Sequence, residues 1–323
     1  MKRQSQLPTS NCELPMDSRP IGSDLFGRWQ LGVGICRRLV TYASFVRFSH
    51  SVFALPFALT GALLAWHRQG DWESGGIGRR VLWIVVAMVA ARSAAMGFNR
   101  LVDARFDALN PRTAARELPR GVMSRTEAIA FVAVSCATFV FCAWKLGPLC
   151  FWLSPVALVI VFWYSIAKRY TSYTQLFLGL AMAVAPVGGW IAAGGGGGLE
   201  PWLLGLAIGT WVGGFDVLYA CQDLDVDRAQ GLHSIPVRFG VPGALAISRL
   251  MHVVTITALA LLAPVADLGW LYLGGVAGVA VLLAYEQSLV SEKDLTQVKR
   301  AFDLNGYVGI LYFAATALAI YVH

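Results

Sequence analysis

The chain is 323 residues long, 57% hydrophobic and only 14% charged, with a formal net charge of +7. Soluble domains average about 45–50% apolar and about 25% charged residues, so this composition excludes the disordered, collagenous and disulfide-scaffold classes and calls for a solvent other than water. A mean hydropathy of +0.59 beside a net positive charge suits a membrane protein whose few charges crowd into basic loops.

In chain order, residues 1–35 read as a flexible polar tail, lacking the continuous apolar run of a cleavable signal. The domain proper takes up residues 36–323. Residues 36–48 (CRRLVTYASFVRF) put Leu39, Tyr42, Ala43 and Val46 on one side at helical spacing, as in an interfacial helix. Nine apolar segments follow, near residues 49–67, 80–101, 126–145, 149–167, 174–193, 201–221, 242–263, 267–286 and 303–322. Each is long enough to cross about 30 Å of hydrocarbon as a helix. The apolar runs are continuous, not alternating, which predicts helices and no barrel. The expected fold is all-α: a polytopic membrane protein with a bundle of nine transmembrane helices.

Basic residues orient the bundle, because cytoplasmic connections retain Lys and Arg. With the N-terminus inside, 21 of the 26 Lys and Arg fall on that side, four (Arg68, Arg79, Arg80, Lys145) on the other, and Arg92 within a span. The expectation is a multi-pass protein of the plasma membrane, N-terminus in and C-terminus out. Five glycines, Gly194 to Gly198, sit in an outer connection and lack the Lys and defined turn of a phosphate cradle. The six cysteines show no paired spacing and read as small apolar residues, without a zinc site or disulfide framework.

Six aspartates fall in two short stretches at the cytoplasmic ends of spans two and six. In the first, Asn99, Asp103 and Asp107 stand at i, i+4 and i+8, a carboxamide and two carboxylates on one helical face within about 12 Å of axis. Like charges so spaced repel, so a cation is expected between them. In the second, Asp216, Tyr219, Asp223 and Asp227 share a face, with Asp225 opposite. Asp216 lies within an apolar helix, where an ionisable group defaults to a functional hypothesis. Two acid faces in one leaflet form a set of hard oxygen donors that suits Mg²⁺ together with phosphate oxygens and water. Arg112, Arg116, Lys168, Arg169, Arg228 and Arg238 lie in the same loops, which points to a diphosphate. A membrane ion carrier is the non-enzyme alternative; it would need the acids to line a through-path.

These residues resemble the UbiA-type intramembrane aromatic prenyltransferases, over nearly the whole chain from about Tyr42. The family's first motif is matched by Asn99, Asp103, Asp107, Arg112 and Thr113, with Arg116 following, and its second by Asp216, Tyr219, Asp223 and Asp227. A third is matched by Tyr164, Lys168, Arg169 and Thr171. The resemblance implies a nine-helix bundle around a central cavity and Mg²⁺-dependent transfer of a polyprenyl group from a polyprenyl diphosphate to an aromatic acid in quinone biosynthesis. It implies Asn99, Asp103, Asp107, Asp223 and Asp227 around the metal, and Arg112, Arg116, Tyr164, Lys168 and Arg169 on phosphate oxygens. Asp216 and Tyr219 would orient the acceptor or receive its proton. The expected partners are these two substrates and the lipid bilayer, with no nucleic acid and no obligatory protein partner.

The acceptor stays open. Typical 4-hydroxybenzoate enzymes carry Arg and then Asp-Lys-Pro at the start of span one, where this chain has Arg47, Phe48, Ser49, His50 and Ser51. Arg47 is a candidate for the aromatic carboxylate, with His50 beside it. Gly231, Leu232, His233 and Ser234 replace the usual Gly-x-Lys-Ser, and with Glu117-Leu118-Pro119 they point to the futalosine branch of menaquinone synthesis. A dihydroxynaphthoate-type acceptor therefore stands beside 4-hydroxybenzoate.

Overall fold

A computed structural model gives the fold. It describes residues 38, 41–42, 44–46, 54–70, 72, 76–111, 113–292 and 294–322. The polar tail, Arg47, His50 and Arg112 lie outside the described residues. The chain divides into a unit of residues 1–42, in which the described Arg38, Thr41 and Tyr42 are helical, and a unit of residues 43–323.

The second unit is built of helices: α1 (Leu55–Gln69), α2 (Ile77–Leu109), α3 (Arg125–Leu146), α4 (Pro148–Ala167), α5 (Thr174–Ala192), α6 (Glu200–Ala220), the short α7 (Leu224–Ala229), α8 (Ile235–Val265), α9 (Trp270–Ser288) and α10 (Val298–Val322). Nine of these described helices are 15 residues or longer, and eight are long and apolar enough to cross a membrane. The ninth, α1, has 15 described helical residues and falls short of that length. Beyond one antiparallel bridge between Ser291 and Asp294, the described residues pair into no strand.

Helix starts follow from local chemistry. Ser124 and Glu127 close a reciprocal capping box at the start of α3, satisfying two backbone donors that a helix would leave open. α4 and α6 open with proline in the first turn, where the missing N–H costs nothing. Ser234 caps α8, which bends at Gly240 (φ 70°, ψ 175°), a left-handed backbone that glycine adopts without a steric penalty. The apolar span predicted at 242–263 is the straight part of α8 beyond that bend.

In packing, α6 lies against α5 and α8, α2 against α3, α1 against α5, and α9 against α10. Where α1 and α5 cross, a Cβ on Gly61 would stand 2.0 Å from the Pro186 carbonyl oxygen, and one on Gly189 2.0 Å from that of Ala58. The two backbones touch through their glycines, the close approach by which helices associate in lipid without a hydrophobic driving force. The core cluster joins α1, α5, α6, α8, α9 and α10 through Phe57, Trp190, Trp211, Leu262, Tyr272 and Tyr312. Two of its buried polar ends are paired: Trp211 Nε1 donates to Asn305 Oδ1 at 2.6 Å, and the Tyr272 hydroxyl donates to the Leu259 carbonyl at 3.0 Å.

Candidate active site

The first acidic motif occupies the last turns of α2. Asn99 Nδ2 donates to Asp103 Oδ2 at 3.2 Å, the i, i+4 contact its spacing predicts. Asp103 is 3% exposed and Asp107 7%, a burial that demands counter-charges. Lys168 Nζ lies 3.0 Å from Asp103 Oδ2, and Arg169 Nη2 lies 3.2 Å from Asp103 Oδ1 while donating to the Val102 carbonyl at 2.6 Å. Arg116 grips both Asp107 oxygens, at 2.9 and 2.7 Å, and the Thr113 hydroxyl donates to the Asp107 carbonyl at 3.1 Å. Glu117 belongs to the scaffold of the loop after α2: it pairs with buried Arg100 and accepts the Ser44 hydroxyl at 2.6 Å.

The second motif departs from a single continuous face. α6 ends at Ala220, a 3₁₀ turn covers Cys221–Asp223, and α7 begins at Leu224. The tighter turn, at about three residues per revolution, shifts Asp223 and Asp227 relative to Asp216 and Tyr219. Asp216, in the last turns of α6, is close enough to Asp223, Asp227 and Lys168 for their charges to act on it. Lys168 is therefore common to both motifs. Two further bonds hold the elements in place: the His233 N–H donates to the Lys168 carbonyl at 2.7 Å, and the Ile235 N–H to Gln175 Oε1 at 3.2 Å. Asp225 is exposed, as its opposite register predicts, and so are Arg228, His233 and Arg238. Arg238 stacks over Tyr173 and Phe239, at 5.3 and 5.2 Å. The Tyr219 ring packs 4.9 Å from that of Phe302.

Beside these clusters a cavity of about 940 Å³ lies among α2, α3, α4, α5 and α6. Its walls are apolar: Ala87, Ala91 and Ala95 recur at helical spacing on α2, facing larger side chains such as Leu153 and Val161 on α4 and Met182 on α5. Tyr164, one turn before Lys168 on α4, lines it, close enough to Arg92, Asp216 and Asp103 for their charges to act on it. Arg92 lines it as well, and its Nε has no hydrogen-bond partner. The charge pattern alone left Arg92 unassigned within a span. Periodicity carried the signal: seven residues before Asn99 and eleven before Asp103, Arg92 shares their face of α2. Among the described residues, no three His, Cys, Asp or Glu side chains gather closely enough to hold a metal by themselves.

The family model for UbiA prenyltransferases matches residues 54–316. The chain belongs to the UbiA prenyltransferase family. It is an enzyme, a prenyltransferase, and the ion-carrier alternative falls away. The prenyltransferase is 32% identical over 255 residues to a 4-hydroxybenzoate octaprenyltransferase from Edwardsiella ictaluri, covering 77% of this chain and 88% of that one. To the 4-hydroxybenzoate octaprenyltransferase from Cupriavidus metallidurans it is 29% identical over 283 residues, covering 87% and 95%. Among solved structures, the apo UbiA homolog from Aeropyrum pernix K1 matches with a TM-score of 0.75 and 34% identity, over 84% of this chain and 98% of that one. A UbiA homolog from Archaeoglobus fulgidus bound to GPP and Mg²⁺ shares the prenyltransferase fold at a TM-score of 0.66 and 19% identity, over 87% and 99%.

Proposed function

We propose that this prenyltransferase moves a polyprenyl group from a polyprenyl diphosphate to the ring of 4-hydroxybenzoate in quinone biosynthesis, with Mg²⁺, at the inner face of the plasma membrane. The observation that carries the reading is the position of Lys168. Ion-paired to Asp103 and near Asp216, it stands between two carboxylate clusters, one turn beyond Tyr164 in the wall of an apolar cavity. A multiply charged oxyanion attached to a hydrocarbon chain matches both halves of that arrangement. The names of the relatives support the acceptor and a long donor, and the Archaeoglobus homolog with GPP and Mg²⁺ supports the metal.

Asp103, Asp107, Asp223 and Asp227, with Asn99, offer hard oxygens from two elements and form no closed cage of their own. That set fits Mg²⁺, which takes one or two carboxylates and leaves its other positions to water and phosphate. When bound, the ion neutralises charge developing on the leaving diphosphate. Lys168, Arg169 and Arg116, with Arg112 and Tyr164 by resemblance, take the remaining phosphate oxygens, exchanging aspartate partners for phosphate. Arg92, with an unpartnered Nε at the cavity wall, is the site for the acceptor's carboxylate. The allylic carbon–oxygen bond breaks, a ring carbon bonds the prenyl carbon, and the ring proton passes to Asp216, with Tyr219 orienting the acceptor. The apolar walls keep water from the allylic cation.

Incubation of the purified protein with a polyprenyl diphosphate, Mg²⁺ and a mixture of 4-hydroxybenzoate and dihydroxynaphthoate, read by mass, decides the acceptor. Prenylated 4-hydroxybenzoate is expected. Prenylated naphthoate would favour the branch to which Gly231–Ser234 points, and prenylation of neither ring would refute the quinone-pathway reading. Asp103→Ala and Asp223→Ala should each abolish Mg²⁺-dependent diphosphate release from protein that still inserts; turnover retained in both would overturn the site.

A further inference from the structure

We infer that Glu117 is a positioning residue for Arg116: held by Arg100 and Ser44, it keeps the loop after α2 in the place from which Arg116 reaches the donor's diphosphate. The inference rests on the proposed function above, which gives Arg116 its phosphate oxygens.

Arg116 and Glu117 are consecutive, and each reaches back to α2. Arg116 grips Asp107, and Glu117 pairs with Arg100. Arg100 and Asp107 stand seven residues apart, nearly two turns, so they share a face of α2 about 10 Å apart along its axis. The loop is therefore pinned to one helix face at two points. Donor binding treats the two pins differently. Arg116 exchanges Asp107 for phosphate, so its pin opens as it is used. The Arg100–Glu117 pair lies clear of the acid face, with side chains only 5% and 13% exposed. Such a pair resists opening, because separating it would leave buried charge uncompensated. It is the pin that stays.

The segment before α1 secures that pin from a second side. The Ser44 hydroxyl donates to Glu117 Oε1 at 2.6 Å, while Arg100 takes Oε2 and its Nη2 lies 3.5 Å from the Ser44 carbonyl oxygen. Phe45 beside it is fully buried, edge-on to Phe131 of α3 at 5.8 Å, with the Arg100 guanidinium 5.7 Å from its ring. Gly97 makes room for this packing, since a Cβ there would stand 2.7 Å from Val132 and 3.4 Å from Phe45. One carboxylate thus joins α2, the seated Ser44–Phe45 pair and the loop. The loop's own bonds pass the constraint to Arg116: the Glu117 carbonyl accepts the Val122 N–H at 2.9 Å, and the Arg116 carbonyl accepts the Arg120 N–H at 3.1 Å. Displacing Glu117 would carry the Arg116 turn with it.

The test is steady-state kinetics with geranyl diphosphate, Mg²⁺ and 4-hydroxybenzoate in wild type, Glu117→Ala, Glu117→Gln, Ser44→Ala, Arg116→Gln and the double variant Arg116→Gln/Glu117→Ala. Glu117→Ala should raise the KM for the diphosphate at least about tenfold and leave that for the aromatic acid unchanged, since a displacement of about 1 Å can cost about 100-fold. Glu117→Gln keeps an oxygen for Ser44 and Arg100 and should recover most of the loss. Ser44→Ala should act in the same direction, by less. In the double variant, Glu117→Ala should add less than about twofold to the loss from Arg116→Gln, because the residue it acts through is already gone. Thermal stabilisation by geranyl diphosphate repeats the comparison without turnover. Should Glu117→Ala not fold, Ser44→Ala alone and with Arg116→Gln runs the same cycle. Equal losses for both substrates, or losses that multiply in the double variant, would make Glu117 a purely structural residue and overturn the inference. An unchanged diphosphate KM in Arg116→Gln would instead refute the role of Arg116 in the proposed function, which keeps the two failures apart.

Discussion

Arg92 shows how one side chain ties a membrane helix to its chemistry. A charged residue inside a span costs roughly 2.5–3.5 kcal/mol on insertion scales, so it persists where a polar group or ligand offsets that cost. Here it faces the cavity with Tyr164, and its Nε has no protein partner. Arg92→Gln keeps a polar side chain but removes the charge, and loss of a charge-assisted hydrogen bond costs about 1.5–3 kcal/mol. The KM for the aromatic acid should rise about 10- to 100-fold, with the KM for the prenyl diphosphate little changed. Steady-state kinetics with each substrate varied in turn checks this, and an increase confined to the donor would assign Arg92 to the diphosphate instead. Lys168 is the contrasting case: already ion-paired to Asp103, it belongs to the donor end, and its replacement should act through the donor.

At the scale of elements, the helices were legible because lipid leaves the backbone no other option, so every long apolar run became one. Asn99, Asp103 and Asp107 were legible for the same reason: α2 is continuous through Leu109, and residues at i+4 share a face. The second motif was read as one face, yet a 3₁₀ turn intervenes at Cys221–Asp223, a local tightening that hydropathy does not record. The glycine crossing of α1 and α5 was hidden too, since glycines at Gly61 and Gly189 mean close approach only once their partners are known. There a methyl group would have to displace a carbonyl. Gly61→Ala should destabilise the bundle by about 1–3 kcal/mol, the usual cost of overpacking, whereas Gly78→Ala on α2, where a Cβ meets open space, should be neutral or slightly stabilising. Thermal unfolding in detergent distinguishes them, and equal melting temperatures would show that the crossing relaxes.

For the whole molecule, charge divides the bundle into two ends with different work. Among the described residues, both aspartate clusters share one end with Lys168, Arg169 and Arg116, while the Gly194–Gly198 connection and the Arg68–Glu200 pair lie at the other. Basic loops alone would orient any membrane protein. Here Lys168, Arg169 and Arg116 also neutralise buried aspartates, so the same charges serve orientation and site. On the proposed function, the aromatic acid and the diphosphate would then meet the protein at the end that holds the aspartates and Lys168, and the hydrocarbon chain would lie in the apolar cavity. In a cysteine-free background, a single cysteine at the exposed Gly197 should react with a membrane-impermeant maleimide added to intact cells, and one at the exposed Ala229 only after the cells are opened. The reverse pattern would put the diphosphate end outside, away from its substrates, and would refute the orientation together with the proposed location of the reaction.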